Sequence, residues 1–171
     1  MDEHSASSPP TLRRPDILIP MDIRTLLPPP WTPLAALVEK SHAEGFRFLI
    51  RFEQEYLSGQ VRFDCPGETL LGAFEDSALV GMGGLTRDPY TGDPRTGRVR
   101  HLYVLPDYRG RGIGRALITQ IERHARTHFH SLVLRTDTPA GASFYHALGY
   151  EQLVAKGTAT HRRILLFDRL E

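Results

Sequence analysis

The sequence predicts an α/β fold in which a central mixed sheet of about six to seven strands is flanked by about four helices. Three observations predict it. Short apolar runs separated by turn-forming polar stretches such as Glu75-Asp76-Ser77 recur from Thr69 onwards. Between them stand segments with the period of an amphipathic helix, the clearest carrying Ile113, Leu117 and Ile121 on one face. The stretch from Arg98 to Arg115, R-V-R-H-L-Y-V-L-P-D-Y-R-G-R-G-I-G-R, joins the two patterns, passing from an apolar strand through a Pro-bearing turn and a glycine-rich loop into that helix.

Taken in order, residues 1–15 read as a disordered tail, because M-D-E-H-S-A-S-S-P-P has neither the basic nor the apolar region of a signal peptide. One domain is expected over residues 16–171, since a chain of 171 residues supports a single sizeable core. Asp16 to Ile19, just before Pro20, is a candidate first strand. Leu26 to Pro33, L-L-P-P-P-W-T-P, is a stiff connector, and its end starts a helix with Thr32 as N-cap and Pro33 at the first helical position. That helix runs to about Ala43, with Gly45 as its C-terminal cap, and a second follows over Phe46 to Leu57, closed by Gly59. The runs T-L-L-G-A-F and A-L-V-G-M-G-G-L-T then read as a hairpin.

After a polar loop come the central strand over Arg98 to Leu105, a long helix from Gly112 to His128 and a strand over Ser131 to Thr136. A helix over Pro139 to Leu148, ended by Gly149, leads to a closing pair of strands at Glu151 to Ala155 and Arg163 to Phe167.

The glycine-rich loop is the chemically informative stretch. It opens onto a helix, so several backbone N–H groups lack intrahelical partners and stand at the positive end of the helix dipole, a site suited to phosphate oxygens. Spacing narrows the ligand. A dinucleotide fingerprint would need a glycine at Arg115 or Leu117, and a P-loop would need Gly-Lys followed by Ser or Thr. The pattern Arg109-x-x-Gly112-x-Gly114 instead resembles the acetyl-CoA signature of the GNAT family of N-acetyltransferases. The likeness continues in L-x-V-x-P at Leu102 to Pro106 and in A-S-F-Y-H-A-L-G-Y at Ala142 to Tyr150, and covers roughly a third of the chain.

That resemblance implies an acetyl-CoA-dependent N-acetyltransferase acting on a primary amine of a small molecule or peptide, and a GNAT fold whose fourth and fifth strands splay apart to admit the pantetheine arm. By the same resemblance the backbone of Leu102, Tyr103 and Val104 binds the arm and the thioester oxygen. The segment Arg109, Gly110, Arg111, Gly112, Ile113, Gly114 and Arg115 receives the phosphates. Tyr145 matches the tyrosine that many members place beside the sulfur, and a phenol is protonated at neutral pH and able to donate to a departing thiolate. Thr138 stands where many members carry a cofactor-binding Asn. A homodimer is common among such relatives.

The general base is not legible. Where one branch of the family places a carboxylate this chain has Val133, and the central-strand positions used by other members carry Arg98 and Arg100, whose guanidiniums are too basic to accept a proton. His101 is adjacent, but alternation turns it to the other face unless a bulge lies between it and Leu102. Glu53, Glu55, His161 and a water chain remain open. An arginine facing the acceptor channel would favour amines that also carry a carboxylate or phosphate. A non-catalytic CoA-binding module sharing the same loop is the alternative to an enzyme.

Composition excludes other classes. The 21 basic and 20 acidic residues nearly cancel, and the arginines of the loop lack aromatic interleaving, so no nucleic-acid partner is expected. No apolar run approaches the roughly 20 residues that span a bilayer, so no membrane partner is expected either. A single Cys65 cannot form an internal disulfide, and a cytoplasmic location is the default. His124, His128 and His130 lie near a helix C-terminus without a third ligand or an HExxH pattern, and read as a solvated face rather than a metal site.

Overall fold

The computed structural model describes residues 21–154 and 157–166, so the candidate strand at Asp16 to Ile19, the tail and the far ends of the closing strands lie outside the described residues. Among the described residues seven strands, numbered in chain order, form one sheet in the order β1-β2-β3-β4-β5-β7-β6. They are β1 (Asp22–Thr25), β2 (Thr69–Glu75), β3 (Ala78–Arg87), β4 (Thr96–Val104), β5 (Ser131–Leu134), β6 (Glu151–Gln152) and β7 (His161–Ile164). The helices are α1 (Trp31–Ala43), α2 (Phe48–Leu57), α3 (Ile113–Ala125) and α4 (Pro139–Ala147). Every pairing is antiparallel except β4 with β5, where α3 supplies the crossover that a parallel pair requires. No helix of the described residues is long and apolar enough to cross a membrane.

Alternation along the strands divides the core into two layers. On one face Leu34 and Leu37 of α1 and Leu49 and Phe52 of α2 pack on Leu70, Met82 and Tyr103. On the other, Ile118, Ile121 and Ala125 of α3 join Leu85, Val99, Leu132 and Leu134, with Tyr145 of α4 in the same cluster. Ala73, Val80, Ile113 and Leu117 continue that second layer towards the glycine-rich loop.

Boundaries differ from expectation where local signals compete. The first helix begins at Trp31, and its N-cap is Pro30 with no side-chain capping bond, so Pro33 falls inside the first turn, where its missing N–H leaves no helical bond unmade. The second begins at Phe48 because Phe46 is spent on ending the first. Gly45 takes a φ of +88°, its N–H donates to the His42 carbonyl, and the Phe46 N–H donates to the Ser41 carbonyl, a Schellman cap. Strand β1 is an almost wholly exposed edge paired to β2, and an edge with one half-buried residue carries little apolar pattern in sequence.

Candidate active site

The site is organised by β4, whose two edges have different fates. Towards β3 it is paired along its length, from Arg87 opposite Gly97 to Gly81 opposite Val104. Towards β5 it is paired only at Thr96, Gly97 and Arg98, and from Val99 to Val104 it has no strand partner on that side among the described residues. The two parallel strands therefore separate. The Leu105 N–H donates to the Val80 carbonyl at 2.9 Å, and antiparallel alternation from that bond turns the backbone of Tyr103 towards β3 and that of Leu102 and Val104 towards the gap.

A bulge in β4 decides what lines the opposite side. The ladder shifts between Met82 and Gly84, and His101 takes a φ of +57°. Arg98, Arg100, His101 and Tyr103 consequently all stand on the face under α1 and α2, while Val99 and Leu102 point to α3. The bulge that alternation required for an inward His101 is present. Its ring lies 5.2 Å from that of Phe52 and 6.1 Å from that of Phe63, and neither ring nitrogen makes a hydrogen bond of good geometry. Burial first, and the nearby charges of Arg100 and Arg51 second, drive its pKa down to about 3. His101 is thus a neutral, weakly basic ring in an aromatic nest.

Beyond the gap the chain makes a short turn at Pro106–Tyr108 and enters the glycine-rich loop. Gly110 and Gly112 have φ of +76° and +82°, and a Cβ placed on either would meet nothing within 4 Å. Gly112 is the N-cap of α3, whose first turn has neither a capping side chain nor an acidic residue. Among the described residues, none of the backbone N–H groups from Gly110 to Arg115 donates a hydrogen bond. The result is a row of free donors facing open space at the positive end of a helix. Gly114 has another task, since a Cβ there would come within 3.2 Å of the Phe144 ring, and its absence lets α4 pack against the first turn of α3.

Arg109, expected among the phosphate-binding residues, turns back onto the protein. Its Nε donates to the Val104 carbonyl at 2.9 Å, and its Nη1 and Nη2 donate to the two carboxylate oxygens of Glu44 at 2.7 and 2.8 Å. Glu44 also accepts from the Tyr103 hydroxyl at 2.5 Å. The hydrogen bond from Arg109, reinforced by that from Tyr103, lowers the Glu44 pKa, and burial together with Glu44 raises that of Tyr103. Arg111 lies 3.6 Å from Glu75, and Arg115 is exposed.

Tyr145 is buried, with ring neighbours Phe144 at 5.0 Å, Tyr150 at 5.4 Å and His161 at 6.4 Å. Its hydroxyl makes no hydrogen bond among the described residues, and burial raises its pKa, so the phenol keeps its proton well into alkaline solution. Thr138 is the N-cap of α4, its hydroxyl accepting from the Gly141 N–H at 3.0 Å. His161 bonds the Thr160 hydroxyl through Nδ1 at 2.9 Å, and burial lowers its pKa.

The two strand arginines differ. The Nε of Arg98 donates to Asp88 at 2.7 Å and its Nη1 to the Thr158 carbonyl at 3.2 Å, in a pair that is almost fully buried. Burial pushes the Asp88 carboxyl up, but hydrogen bonds from Arg98 and Thr91 outweigh it and leave the pKa lowered. Among the ion pairs of the described residues Arg100 has only Glu55, at 3.9 Å. Glu53 is half-buried and joins none of the ion pairs of the described residues. Val133, buried between Arg98 on β4 and Arg162 on β7, supplies no carboxylate. Glu44 and Asp88 escape a reading of the sequence because their partners lie 65 and 10 residues along the chain.

The geometry fits an extended phosphorylated ligand, with backbone groups of a half-open strand leading to a cradle free of side chains. Comparison with known proteins agrees. The family model described as Acetyltransferase (GNAT) family matches residues 25–150. A crystal structure of a candidate acetyltransferase from Exiguobacterium sp. 255-15 is 30% identical, with a TM-score of 0.72 over 85% of this chain and 93% of that one. The PaiA N-acetyltransferase of Thermoplasma acidophilum, solved in complex with coenzyme A, shares the fold at 20% identity and a TM-score of 0.64, over 85% of this chain and 99% of that one. The N-alpha-acetyltransferase RimI of Mycobacterium tuberculosis is 34% identical over 52% of this chain and 55% of its own. The matched stretch thus spans about half of that curated relative, and 23% of another, an uncharacterised protein of Mycobacterium leprae.

Proposed function

The chain belongs to the GNAT acetyltransferase family, and from that premise we propose that it transfers an acetyl group from acetyl-CoA to a primary amine of a small molecule or peptide. The observation that carries this reading is the continuity of two features, the unpaired edge of β4 from Val99 to Val104 and the free N–H groups from Gly110 to Arg115. When bound, acetyl-CoA supplies an acetyl group already activated as a thioester. The N–H row holds its phosphates, with the dipole of α3 behind them. The backbone of Leu102 and the N–H of Val104, whose carbonyl Arg109 already holds, meet the amides of the arm as a neighbouring strand would, with Tyr103 between them anchoring β4 to β3. The proton of the attacking amine passes to solvent water, and Tyr145, which burial keeps protonated throughout the neutral range, gives the leaving sulfur its proton and regains one from solvent. Thr138 offers its hydroxyl hydrogen to the arm while its oxygen caps α4.

The acceptor approaches from the face under α1 and α2, where the polar groups of β4 stand. The mycobacterial relative bears the name of an N-alpha-acetyltransferase, which places peptide N-termini beside small amines in any screen. The exposed, unpaired Cys65 favours a reducing, cytoplasmic setting. The test is release of free thiol from acetyl-CoA in the presence of an amine panel, alongside calorimetry with CoA. Turnover with at least one amine is expected. Tight CoA binding without turnover of any amine would instead make the protein a CoA-binding module, and absence of CoA binding would remove the whole reading.

A further inference from the structure

Buried polar atoms normally find hydrogen-bond partners, so those that do not are informative. Among the described residues the buried side-chain atoms without a hydrogen bond of good geometry are Glu55 Oε2, Thr86 Oγ1, Arg98 Nη2, Arg100 Nε, both ring nitrogens of His101 and the Tyr150 hydroxyl. All but the last belong to α2 or to the α2-facing side of β3 and β4. Thr86 lies directly opposite Arg98 in the ladder, and Arg100, opposite Gly84, is the next residue of β4 on the same face. A hydroxyl and two guanidiniums therefore stand side by side, each with an N–H or O–H to give. Guanidinium donates and never accepts, so the partner that this row lacks is a group rich in acceptor oxygens.

Space for such a group adjoins the row. A cavity of about 310 Å³ opens between the loop that follows α2 and the ends of β3 and β4, with Thr86, Arg87 and Arg100 on the sheet side and Arg62 on the loop side. Neither Arg62 nor Arg87 has an ion-pair partner among the described residues. Two acids share the wall, Asp64 and Glu68, but both Glu68 oxygens already accept backbone N–H groups, from Cys65 at 3.3 Å and from Arg87 at 3.1 Å. The contact of Arg100 with Glu55, at 3.9 Å, is too long for a hydrogen bond, and leaves Arg100 Nε and Glu55 Oε2 both unbonded.

We infer that the acceptor is an amine that also carries an acidic oxygen group, a carboxylate or a phosphate, and that Arg100 and Thr86 bind this group in the cavity beside β4. From there β4 leads through His101 to Leu102 at the mouth of the gap, so a substrate anchored by its acid end presents its amine towards the acetyl donor. The identity of the ligand as an acceptor rests on the acetyltransferase reading, and the anion site does not.

The experiment compares alanine and phenylalanine with their amides, their decarboxylated amines and the corresponding aminophosphonic acids, by thiol release from acetyl-CoA. Wild type, Arg100→Gln, Arg100→Lys and Thr86→Val are assayed. In wild type, kcat/KM for one of the two acid series is expected to exceed that of the amides by at least about tenfold, and the winning series tells carboxylate from phosphate. Arg100→Gln should raise KM for the acids about 10- to 100-fold more than for the amides, the worth of a charge-assisted hydrogen bond. Arg100→Lys should recover part of that difference, and Thr86→Val, which keeps the side-chain shape, gives a second reading if Arg100→Gln fails to fold. A wild type that favours amides, or a loss in the variants that is equal for acids and amides, overturns the proposal. If no amine is turned over, the acetyltransferase reading fails, and calorimetry with N-acetylphenylalanine and inorganic phosphate decides the anion site alone. Binding that weakens in Arg100→Gln sustains it, and no saturable binding to wild type overturns it.

Discussion

Glu44, the C-cap residue of α1, grips Arg109 of the glycine-rich loop through two parallel hydrogen bonds of 2.7 and 2.8 Å. A third Arg109 hydrogen bond, to the Val104 carbonyl, ties the same guanidinium to the end of β4. One side chain thus fixes the position of the loop relative to a helix and a strand. Both partners are partly exposed, so the pair contributes little to global stability, and its effect is expected where the loop must be held in one shape. Glu44→Ala should weaken CoA binding about tenfold, the worth of a charge-assisted bond, while leaving the melting temperature within a few degrees of wild type. Calorimetry and a thermal scan check both halves. Unaltered CoA affinity would mean that the loop holds its shape without Glu44.

The cradle itself is tested at Gly112. Its φ of +82° is one that L side chains rarely adopt, and the position of a Cβ there opens onto empty space in front of the free N–H groups. Gly112→Val therefore adds both strain and bulk where phosphate would meet backbone. Affinity for CoA should fall by at least about tenfold, which is the factor that a cost near 1.4 kcal/mol produces. A calorimetric titration that gave the wild-type affinity would displace the phosphate site from this loop.

Tyr145→Phe removes one oxygen and keeps the ring that packs on Phe144 and Tyr150. Turnover should drop by about ten- to ten-thousand-fold, the range for a general acid, with a much smaller change in KM for acetyl-CoA. Because burial raises the pKa of the phenol, the wild-type rate should not fall on account of Tyr145 anywhere below the ordinary tyrosine range near 10. Equal turnover by the two proteins across the pH range would take Tyr145 out of the mechanism.

What could be read from the sequence was local in it. Gly45 announces a helix end, Gly112 and Gly114 announce a loop opening on α3, and the order of apolar periods gives the alternation of strands and helices, because each signal is contained within a few residues. The separation of β4 from β5 was expected from the family likeness alone, since no residue of either strand encodes it. Contacts between distant segments left no mark. Asp88 is ten residues from Arg98 across a loop, and Glu44 is 65 from Arg109, so a carboxylate's partner became known only once the sheet had placed both. The bulge at His101 belongs to the same class, for a histidine at positive φ carries no glycine to betray it. Its consequence is large, because the extra residue puts Arg100 and His101 on one face and so builds the polar wall under α2.

That same bulge makes a prediction about pH. His101 is held neutral in the folded protein, with a pKa of about 3, whereas in the unfolded chain an imidazole titrates near 6.5. Between those values the unfolded state binds the extra proton, so stability is full above about pH 6.5 and is lost progressively as pH falls towards 3. From pH 6.5 to 4.5 the loss attributable to His101 should be about 2 to 3 kcal/mol, at 1.36 kcal/mol for each unit of pH. His161, whose pKa burial also lowers, acts in the same direction, and the depressed carboxylates Glu44 and Asp88 contribute chiefly below their ordinary range near 4. A variant isolates the histidine. Asparagine tolerates positive φ, so His101→Asn can keep the bulge while removing the titrating ring. It should be less stable than wild type at pH 7.5, having lost contact with Phe52 and Phe63, but its urea midpoint should fall much less steeply down to pH 4.5. Parallel pH dependences in the two proteins would show that the ring is hydrated, and that His101 is available as a base after all.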